Sequence, residues 1–228
     1  MEDDSRAQES PRNQVFVLTV LIGSGKSTVA AVLEALGACV ISADELSRRA
    51  VEKSSPGLLQ VVSIFGAEVL TPAGALDRKK MGTIVFSNPE KKKQLEGIIH
   101  PIVQELADKE FRNALASGPV LVVYECPLFF EAGLAHLGFR GVILVTAPEA
   151  ACVQRIMTRD HLPEAEAQKR LASQIPLGEK IPRADYIVEN AGTKEELAAI
   201  VRMLFERLAE GVKLDHASFL KNDSSSNI

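Results

Sequence analysis

Short aliphatic runs alternate along the chain with segments in which apolar residues recur every three or four positions. Five of the runs are continuous, rich in β-branched residues and without polar alternation, namely 15–20, 38–42, 120–125, 141–147 and 185–190. Runs of this kind are typical of strands buried on both faces, as in a parallel sheet. The segments between them have helical spacing. The alternation therefore predicts an α/β fold, a doubly wound sheet with right-handed crossovers.

Two stretches depart from this alternation. Residues 45–117 contain several helical patterns and no strong strand, which predicts a helical insertion at the edge of the sheet. The charged stretch 159–174 is typical of a helical hairpin that could act as a lid. The expected organisation is a disordered extension at 1–14, a core at 15–44 and 118–210 that includes a lid at about 159–182, the insertion, and a mostly disordered tail at 211–228.

The composition is that of an ordinary soluble globular protein, with 228 residues, 46% of them hydrophobic, and a net charge of -4. The mild acidity gives no support for a nucleic-acid partner, and no apolar run reaches membrane-spanning length. Three widely spaced cysteines suit free thiols in a reducing compartment. The first residues do not resemble a targeting segment. We expect a cytoplasmic protein without a membrane partner and favour a monomer, with the oligomeric state left open.

The segment Gly25-Lys26-Ser27 supplies the second half of the phosphate-loop pattern G-x-x-x-x-G-K-[ST]. It follows a predicted strand and precedes a predicted helix, which is the context a phosphate loop requires. Lys26 would neutralise the β- and γ-phosphates of a nucleotide, and Ser27 would bind Mg²⁺. The alternative is a Gly-Ser turn that caps an ordinary helix. The predicted nucleotide-binding residues are Ile22, Gly23, Ser24, Gly25, Lys26, Ser27 and Thr28.

Val20 stands where the phosphate-loop pattern has its first glycine. If the chain needs a positive φ at this position, valine is strained there, at a cost of about 1–3 kcal/mol. Otherwise the loop turns with a negative φ and shifts slightly. In either case the residues from Gly23 onward form most of the phosphate cradle, so we expect nucleotide binding with impaired turnover.

Several charged residues are candidates for the chemistry of phosphoryl transfer. Asp44 follows the second strand, where it could accept a substrate proton, hold Mg²⁺ through a water molecule, or cap a helix. Glu125 ends the third strand, as an outer-sphere magnesium contact does, although many strands end in an acid. Arg155 and Arg159, one helical turn apart, repel each other unless an anion lies between them. Together with Arg170 they are either lid cations for a phosphate or ordinary solvated arginines.

The chain resembles the dephospho-coenzyme A kinase family from about residue 15 to residue 208. The resemblance rests on the loop followed by VISAD, on GALDRKKMGTIVF, on the HP pair, and on ECPLFFE, QRIMTRD and ADYIVENAG, in this order. It implies a P-loop NTPase-type five-stranded parallel sheet flanked by helices, with a helical substrate-binding insertion and a helical lid. The implied reaction is ATP-dependent phosphorylation of the 3′-hydroxyl of dephospho-coenzyme A with Mg²⁺, the last step of coenzyme A synthesis.

The resemblance also implies roles for individual residues. Asp44 matches the family's base and also contacts substrate, and Lys26 and Arg159 complete the implied catalytic set. Arg48, Arg78 of the DR pair and His100 of the HP pair match the substrate pocket. Arg155 matches a lid arginine, and we assign it to the nucleotide site, whereas the metal roles of Ser27 and Glu125 rest on the loop and strand-end patterns above. The chain departs from the family at Val20 and Leu21 (usually two glycines), at Ser42 (usually aspartate) and at Glu125 (usually aspartate).

Other functions remain open at this point. A different small-molecule or nucleoside kinase would share the loop and lid but would not need the DR and HP pairs. A GTPase is disfavoured because the chain has no N-K-x-D motif, and an ABC-type ATPase because it has no L-S-G-G-Q. A binding protein that lost catalysis through Val20 is disfavoured because Lys26, Ser27 and Asp44 are all present.

Overall fold

The computed structural model describes residues 10–211 and 218–220, with only the backbone described in the second range. Within these residues, the contacts divide the chain into two compact units. The smaller unit is Ser42–Glu110, and the larger is built from the segments on either side of it. Among the described residues, no helix combines the length and apolar character needed to cross a membrane.

The larger unit is built on a sheet with the strand order β2-β3-β1-β4-β5-β6. Its strands are β1 Val15–Val20, β2 Ala38–Ser42, β3 Leu121–Glu125, β4 Gly141–Thr146, β5 Tyr186–Glu189 and β6 Ser218–Leu220. The five predicted strands are confirmed, with ends that differ by no more than one residue. The pairs from β3 through β1, β4 and β5 to β6 are parallel. The sixth strand, β6, was not predicted and lies in the expected tail.

Strand β1 is buried along its whole length because it lies between two other strands. Its register places Leu18 opposite Glu125 of β3, and Val20 opposite Val145 of β4. The only polar member, Thr19, donates its hydroxyl proton to the carbonyl of Pro127 at 3.1 Å. The largest apolar cluster contains side chains from the sheet and from the helices after β1 and β5. A continuous aliphatic run is therefore the expected sequence for this strand.

The helices of the larger unit are α1 Lys26–Ala35, α6 Glu149–Asp160, α7 Glu164–Ala172, α8 Leu177–Lys180 and α9 Lys194–Ala209. Helix α9 begins with a capping box in which Thr193 and Glu196 each satisfy the other's backbone N–H. Its buried face includes Leu197, Val201 and Leu204, which have helical spacing. The three cysteines are free thiols, as expected, although Cys39 is only half-buried.

The smaller unit is helical. Its helices are α2 Ala43–Ala50, α3 Pro56–Phe65, α4 Arg78–Ser87 and α5 Pro89–Ser117, the last of which continues beyond the unit. Buried apolar residues form a separate core there, namely Val51, Val61, Phe65, Val69, Met81 and Ile98. After Ser42, which ends β2, its only described β-structure is an isolated bridge between Leu70 and Leu76.

The ends of the chain differ in part from the expected disorder. Residues Pro11–Gln14 form a short 3-10 helix before β1, so the prediction of disorder for 1–14 is wrong for these four residues. The Ser10 side chain caps this turn, and the fixed φ of Pro11 suits its first position. The expected disorder of 1–9, 212–217 and 221–228 concerns residues outside those that the structure describes.

Candidate active site

The predicted phosphate loop lies between the end of β1 and the start of α1, at the carboxyl edge of the sheet. The chain passes from β1 to β2 on one side of β1, and from β3 to β4 across to the other side. Ligands of open α/β sheets bind at such a switch point, outside the carboxyl ends of the strands. The first N–H groups of α1 have no acceptor within the helix and are suited to bind an anion.

Two glycines give the loop its shape. Gly23 and Gly25 have φ angles of +81° and +103°, which side chains disfavour. A Cβ atom on Gly23 would lie 2.7 Å from the carbonyl oxygen of Cys152. The Ser24 N–H closes the turn on the Leu21 carbonyl at 3.0 Å. The loop therefore needs glycine at position 23 for two reasons, backbone angle and lack of space.

Val20 does not strain the loop. Among the described residues other than glycine, a positive φ occurs only at Ser54 and His161. Val20 is the last residue of β1 and packs into the main apolar core, 4% exposed. The neighbouring Leu21 is also buried, against Ala147 and Cys152 among others. The second of the two expected outcomes, a turn without positive φ at Val20, is correct, and the strained alternative is wrong.

Two side chains from distant segments bind successive carbonyls of the loop. Arg155 of α6 donates from Nη1 to the Gly23 carbonyl at 3.1 Å. Asn190, which follows β5 and is 7% exposed, donates from Nδ2 to the Ser24 carbonyl at 2.8 Å. These bonds hold the Gly23 and Ser24 carbonyls on the side of the loop that faces α6 and the end of β5. Arg155 was predicted to contact nucleotide, and in this structure it contacts the loop itself.

Lys26 and Glu125 form an ion pair between the first residue of α1 and the last residue of β3. The lysine side chain is 28% exposed and the glutamate 11%, so solvent screens this pair only in part. Ser27, the next residue of α1, is exposed. A carboxylate and a hydroxyl are oxygen donors that suit Mg²⁺, which proteins bind through one or two carboxylates together with substrate phosphates. No group of three or more His, Cys, Asp or Glu side chains placed to hold a metal occurs in the described part of the chain.

The stretch 159–174, predicted to be a helical hairpin by itself, contains only the last two residues of α6, a turn at His161 with a φ of +53°, and α7. The hairpin consists instead of all of α6 and α7, and we call it the lid hairpin. Arg159 donates from Nε and Nη2 to both carboxylate oxygens of Asp160, at 2.8 Å each. Arg170 of α7 donates to the same carboxylate at 2.6 Å. The hydrogen bond from Arg159 is the largest cause that holds the pKa of Asp160 below its usual value. Arg155 and Arg159 therefore have separate partners, and no bound anion is needed to relieve their repulsion.

Asp44 lies in the first turn of α2, in the smaller unit, with an exposed side chain. The N-cap of this helix is Ser42, whose hydroxyl accepts from the Glu45 N–H at 3.4 Å. The alternative that Asp44 caps the helix is therefore wrong. Arg48 is also exposed and lies one helical turn after Asp44. The two side chains consequently share one face of α2.

The other predicted substrate residues lie on two further helices of the smaller unit. Arg78 is the exposed first residue of α4, whose N-cap Asp77 accepts from the Lys80 N–H at 2.9 Å. His100 is exposed within α5, immediately before Pro101, through which the helix continues. The proline has no N–H to donate to the carbonyl four residues earlier, so the helix lacks one hydrogen bond beside His100.

Comparison with known proteins identifies the family. The family model for dephospho-CoA kinase matches residues 14–196, most of the chain. The chain belongs to the dephospho-CoA kinase family. The dephospho-CoA kinase of Anaeromyxobacter dehalogenans is 46% identical over 198 residues, which are 87% of this chain and 93% of that protein. That of Syntrophotalea carbinolica is 44% identical, with coverages of 87% and 94%.

Solved structures agree with this assignment. A dephospho-CoA kinase from Campylobacter jejuni superposes with a TM-score of 0.67 at 32% identity, with 87% of this chain and 98% of that chain covered. A crystal structure of a protein from Thermus thermophilus gives a TM-score of 0.73 at 36% identity, with coverages of 85% and 97%. The predicted fold, a P-loop α/β fold of the dephospho-CoA kinase family, is thus confirmed.

In this dephospho-CoA kinase family member, sequence reasoning missed two residues that contact the phosphate loop. One is Asn190, and the other is Gln174, whose Oε1 accepts from the Ile22 N–H at 2.7 Å. They are 166 and 152 residues from their partners along the chain. The only signal in the sequence was their position at the ends of the ADYIVEN and lid segments.

Proposed function

We propose that this protein transfers the γ-phosphoryl group of ATP to the 3′-hydroxyl of dephospho-coenzyme A and so forms coenzyme A and ADP. One observation supports this most strongly. In this chain, which belongs to the family, the phosphate loop has two glycines at positive φ and lies beside the Lys26–Glu125 ion pair at the carboxyl edge of the sheet. Impaired turnover was expected whether Val20 was strained or the loop shifted. The ground of strain is removed, because Val20 has no positive φ.

The larger unit would bind ATP. The loop from Ile22 to Thr28 would surround the β-phosphate, with backbone N–H groups as donors other than those of Ile22 and Ser24, which bond to Gln174 and Leu21. The N-terminus of α1 adds a favourable field for an anion. Lys26 would exchange its contact with Glu125 for the β- and γ-phosphates. Glu125 and Ser27 would then hold Mg²⁺, which neutralises charge on the phosphates. Arg155, already bound to Gly23, would lie beside the nucleotide.

Asp44 would accept the proton of the 3′-hydroxyl as that oxygen attacks phosphorus. Its exposed carboxylate is not used as a helix cap, because Ser42 has that role. Arg159 would leave Asp160 to stabilise charge that develops on the transferred group. Arg48, Arg78 and His100 of the smaller unit would bind the substrate; they present two cationic side chains and one imidazole suited to phosphate and ribose groups. We place the activity in the cytoplasm and favour a monomer.

The test is to incubate the purified protein with ATP, MgCl₂ and dephospho-coenzyme A and to measure coenzyme A and ADP by mass spectrometry. Stoichiometric formation of both products is expected. Two controls accompany it: coenzyme A as the acceptor, which already carries the 3′-phosphate, and a reaction with EDTA. ADP without coenzyme A, or equal turnover of a panel of nucleosides, would contradict the proposed substrate.

A further inference from the structure

The phosphate loop is linked to the end of the lid hairpin by one hydrogen bond. The N–H of Ile22 donates to Oε1 of Gln174 at 2.7 Å, and Gln174 lies two residues after α7 ends at Ala172. Ile22 is half-buried, so an amide left without this acceptor would have restricted access to water. The carbonyl of the same peptide, that of Leu21, accepts from the Ser24 N–H at 3.0 Å, so the Leu21–Ile22 peptide is held at both ends. Its orientation affects the direction of the N–H groups that follow.

Apolar contacts accompany this hydrogen bond. The Ile22 side chain belongs to a cluster with Val153 and Ile156 of α6 and with Leu171 of α7. Leu21 packs in a second cluster that also includes Leu171. The lid hairpin and the residue Gln174 that follows it therefore contact both the side chains and the main chain of the loop.

Glu131 holds the segment from Ile175 to Lys180, which directly follows Gln174. Its Oε1 atom accepts from the N–H of Ile175, the residue after Gln174, at 3.2 Å. The same oxygen lies 2.7 Å from Nζ of Lys180, whose side chain is fully buried. Glu131 thus binds both ends of the segment from Ile175 to Lys180. A buried ammonium without its carboxylate partner is strongly unfavourable, so this contact constrains the segment.

We propose that Gln174 is a positioning residue for the phosphate loop, and that Glu131 with Lys180 holds Gln174 in place. The glutamine acts through the Ile22 N–H: it fixes the Leu21–Ile22 peptide and so preorganises the loop for the phosphates of a nucleoside triphosphate. Its role for kcat rests on the proposed kinase function, whereas its role in nucleotide binding does not.

The direct test compares Gln174→Met with Gln168→Met. Methionine has nearly the length of glutamine but lacks the amide oxygen. Gln168 is a matched control because it is exposed on α7 and its side chain bonds only within that helix, to Glu164. Calorimetric titration with a non-hydrolysable ATP analogue and Mg²⁺ should show roughly tenfold weaker binding for Gln174→Met, the order expected for a lost hydrogen bond with an orphaned donor. Gln168→Met should bind as the parent does.

Kinetics add a readout that simple loss of stability would not produce. The KM for ATP should rise in Gln174→Met, while the KM for dephospho-coenzyme A stays within about twofold of the parent value. Unchanged analogue binding in a folded Gln174→Met protein, or equal changes in both KM values, would overturn the positioning role. Weakened analogue binding in a protein that does not phosphorylate dephospho-coenzyme A would support the positioning role and contradict the proposed function instead.

The anchoring role of Glu131 needs a pair of variants, because Glu131→Gln leaves the buried Lys180 ammonium without its partner. The double variant Glu131→Gln/Lys180→Met removes both charges and should fold. We expect it to weaken analogue binding by roughly threefold to tenfold, since glutamine still accepts from Ile175 but the tie to Lys180 is lost. The triple variant that also carries Gln174→Met should bind the analogue little more weakly than Gln174→Met alone. If the two losses of binding free energy add in full, Glu131 and Lys180 do not act through Gln174.

Discussion

At the scale of single residues, the two acidic candidates at strand ends differ in their surroundings. Glu125 is buried and contacts Lys26, so its charge is already engaged at the phosphate loop. Asp44 is exposed on α2, and Ser42 rather than Asp44 caps that helix. The exposed carboxylate of Asp44 is the better candidate for a proton acceptor, whereas the buried Glu125 is better suited to a metal-bound phosphate.

Asp44→Asn should therefore lower kcat by about 10²- to 10⁴-fold, the usual contribution of a positioned general base. The unfolding midpoint should change little because the side chain is exposed and does not cap α2. Glu45→Gln is the matched control, one residue further along the same exposed turn. Steady-state kinetics and urea unfolding measure both effects; retention of most of the parent turnover by Asp44→Asn would exclude it as the base.

Val20→Gly should destabilise the protein rather than repair it. The substitution removes a buried side chain from the core and increases the conformational entropy that the backbone of β1 loses on folding. The combined cost is roughly 2–4 kcal/mol of unfolding free energy. Val120→Gly, at a position 57% exposed, should cost less. Urea unfolding gives both free energies. An increase in kcat/KM for ATP with Val20→Gly/Leu21→Gly, without loss of stability, would contradict the packing role of both residues.

At the scale of the element, the phosphate loop depends on close packing as well as on backbone angle. Gly23 and Gly37 flank the same helix, α1, and both have positive φ, at +81° and +97°. Of these two glycines, Gly23 is the one at which a Cβ atom would approach another backbone segment, that of Cys152. Around Gly37 there is nothing within 4 Å. Substitutions at these two positions therefore distinguish the cost of a positive φ from the cost of a steric clash with Cys152.

Gly23→Ala should accordingly reduce ATP binding by at least tenfold, because the loop must move away from the rigid start of α6. Gly37→Ala should leave ATP binding unchanged and cost about 1 kcal/mol of unfolding free energy, the penalty of a left-handed backbone for alanine. Analogue titration and urea unfolding of both variants provide the comparison. Equal binding by the two variants would mean that the clash with Cys152 is readily relieved.

At the scale of the whole molecule, the predicted site residues are distributed between two compact units. Lys26, Glu125 and Arg155 belong to the larger unit, whereas Asp44 and His100 belong to Ser42–Glu110. Each unit has an apolar core of its own. Substitutions in one unit should therefore change the affinity for one substrate more than for the other.

Lys26→Ala should weaken ATP binding by at least tenfold and leave dephospho-coenzyme A binding within about twofold of the parent value, because a charge-assisted contact to phosphate is lost only at the nucleotide. Lys169→Ala is the control, a 74% exposed lysine on α7. Separate calorimetric titrations with ATP and with dephospho-coenzyme A measure the loss of affinity for each ligand in both variants. Equal losses for both ligands with Lys26→Ala would argue against two independent binding sites.

The sequence by itself determined the elements and the chemistry of the phosphate loop. Continuous aliphatic runs specified the strands β1 to β5 because a strand covered on both faces excludes polar side chains at nearly every position. The order strand, Gly-Lys-Ser, helix located the loop because these residue types have local conformational and charge requirements. The resemblance then supplied the family and the roles of residues such as Asp44 and His100, which no local pattern could assign.

Only the tertiary structure decided what holds the loop in place. Val20 could not be judged from the motif, because its φ depends on where β1 ends against β4. Gln174 and Asn190 reach the loop across more than 150 residues of chain, through bonds that exist only once the sheet and α7 have packed. Strand β6 likewise forms by pairing with β5 rather than from its own pattern. Local sequence constrains short-range geometry, whereas partners this distant are selected by the packing of apolar faces.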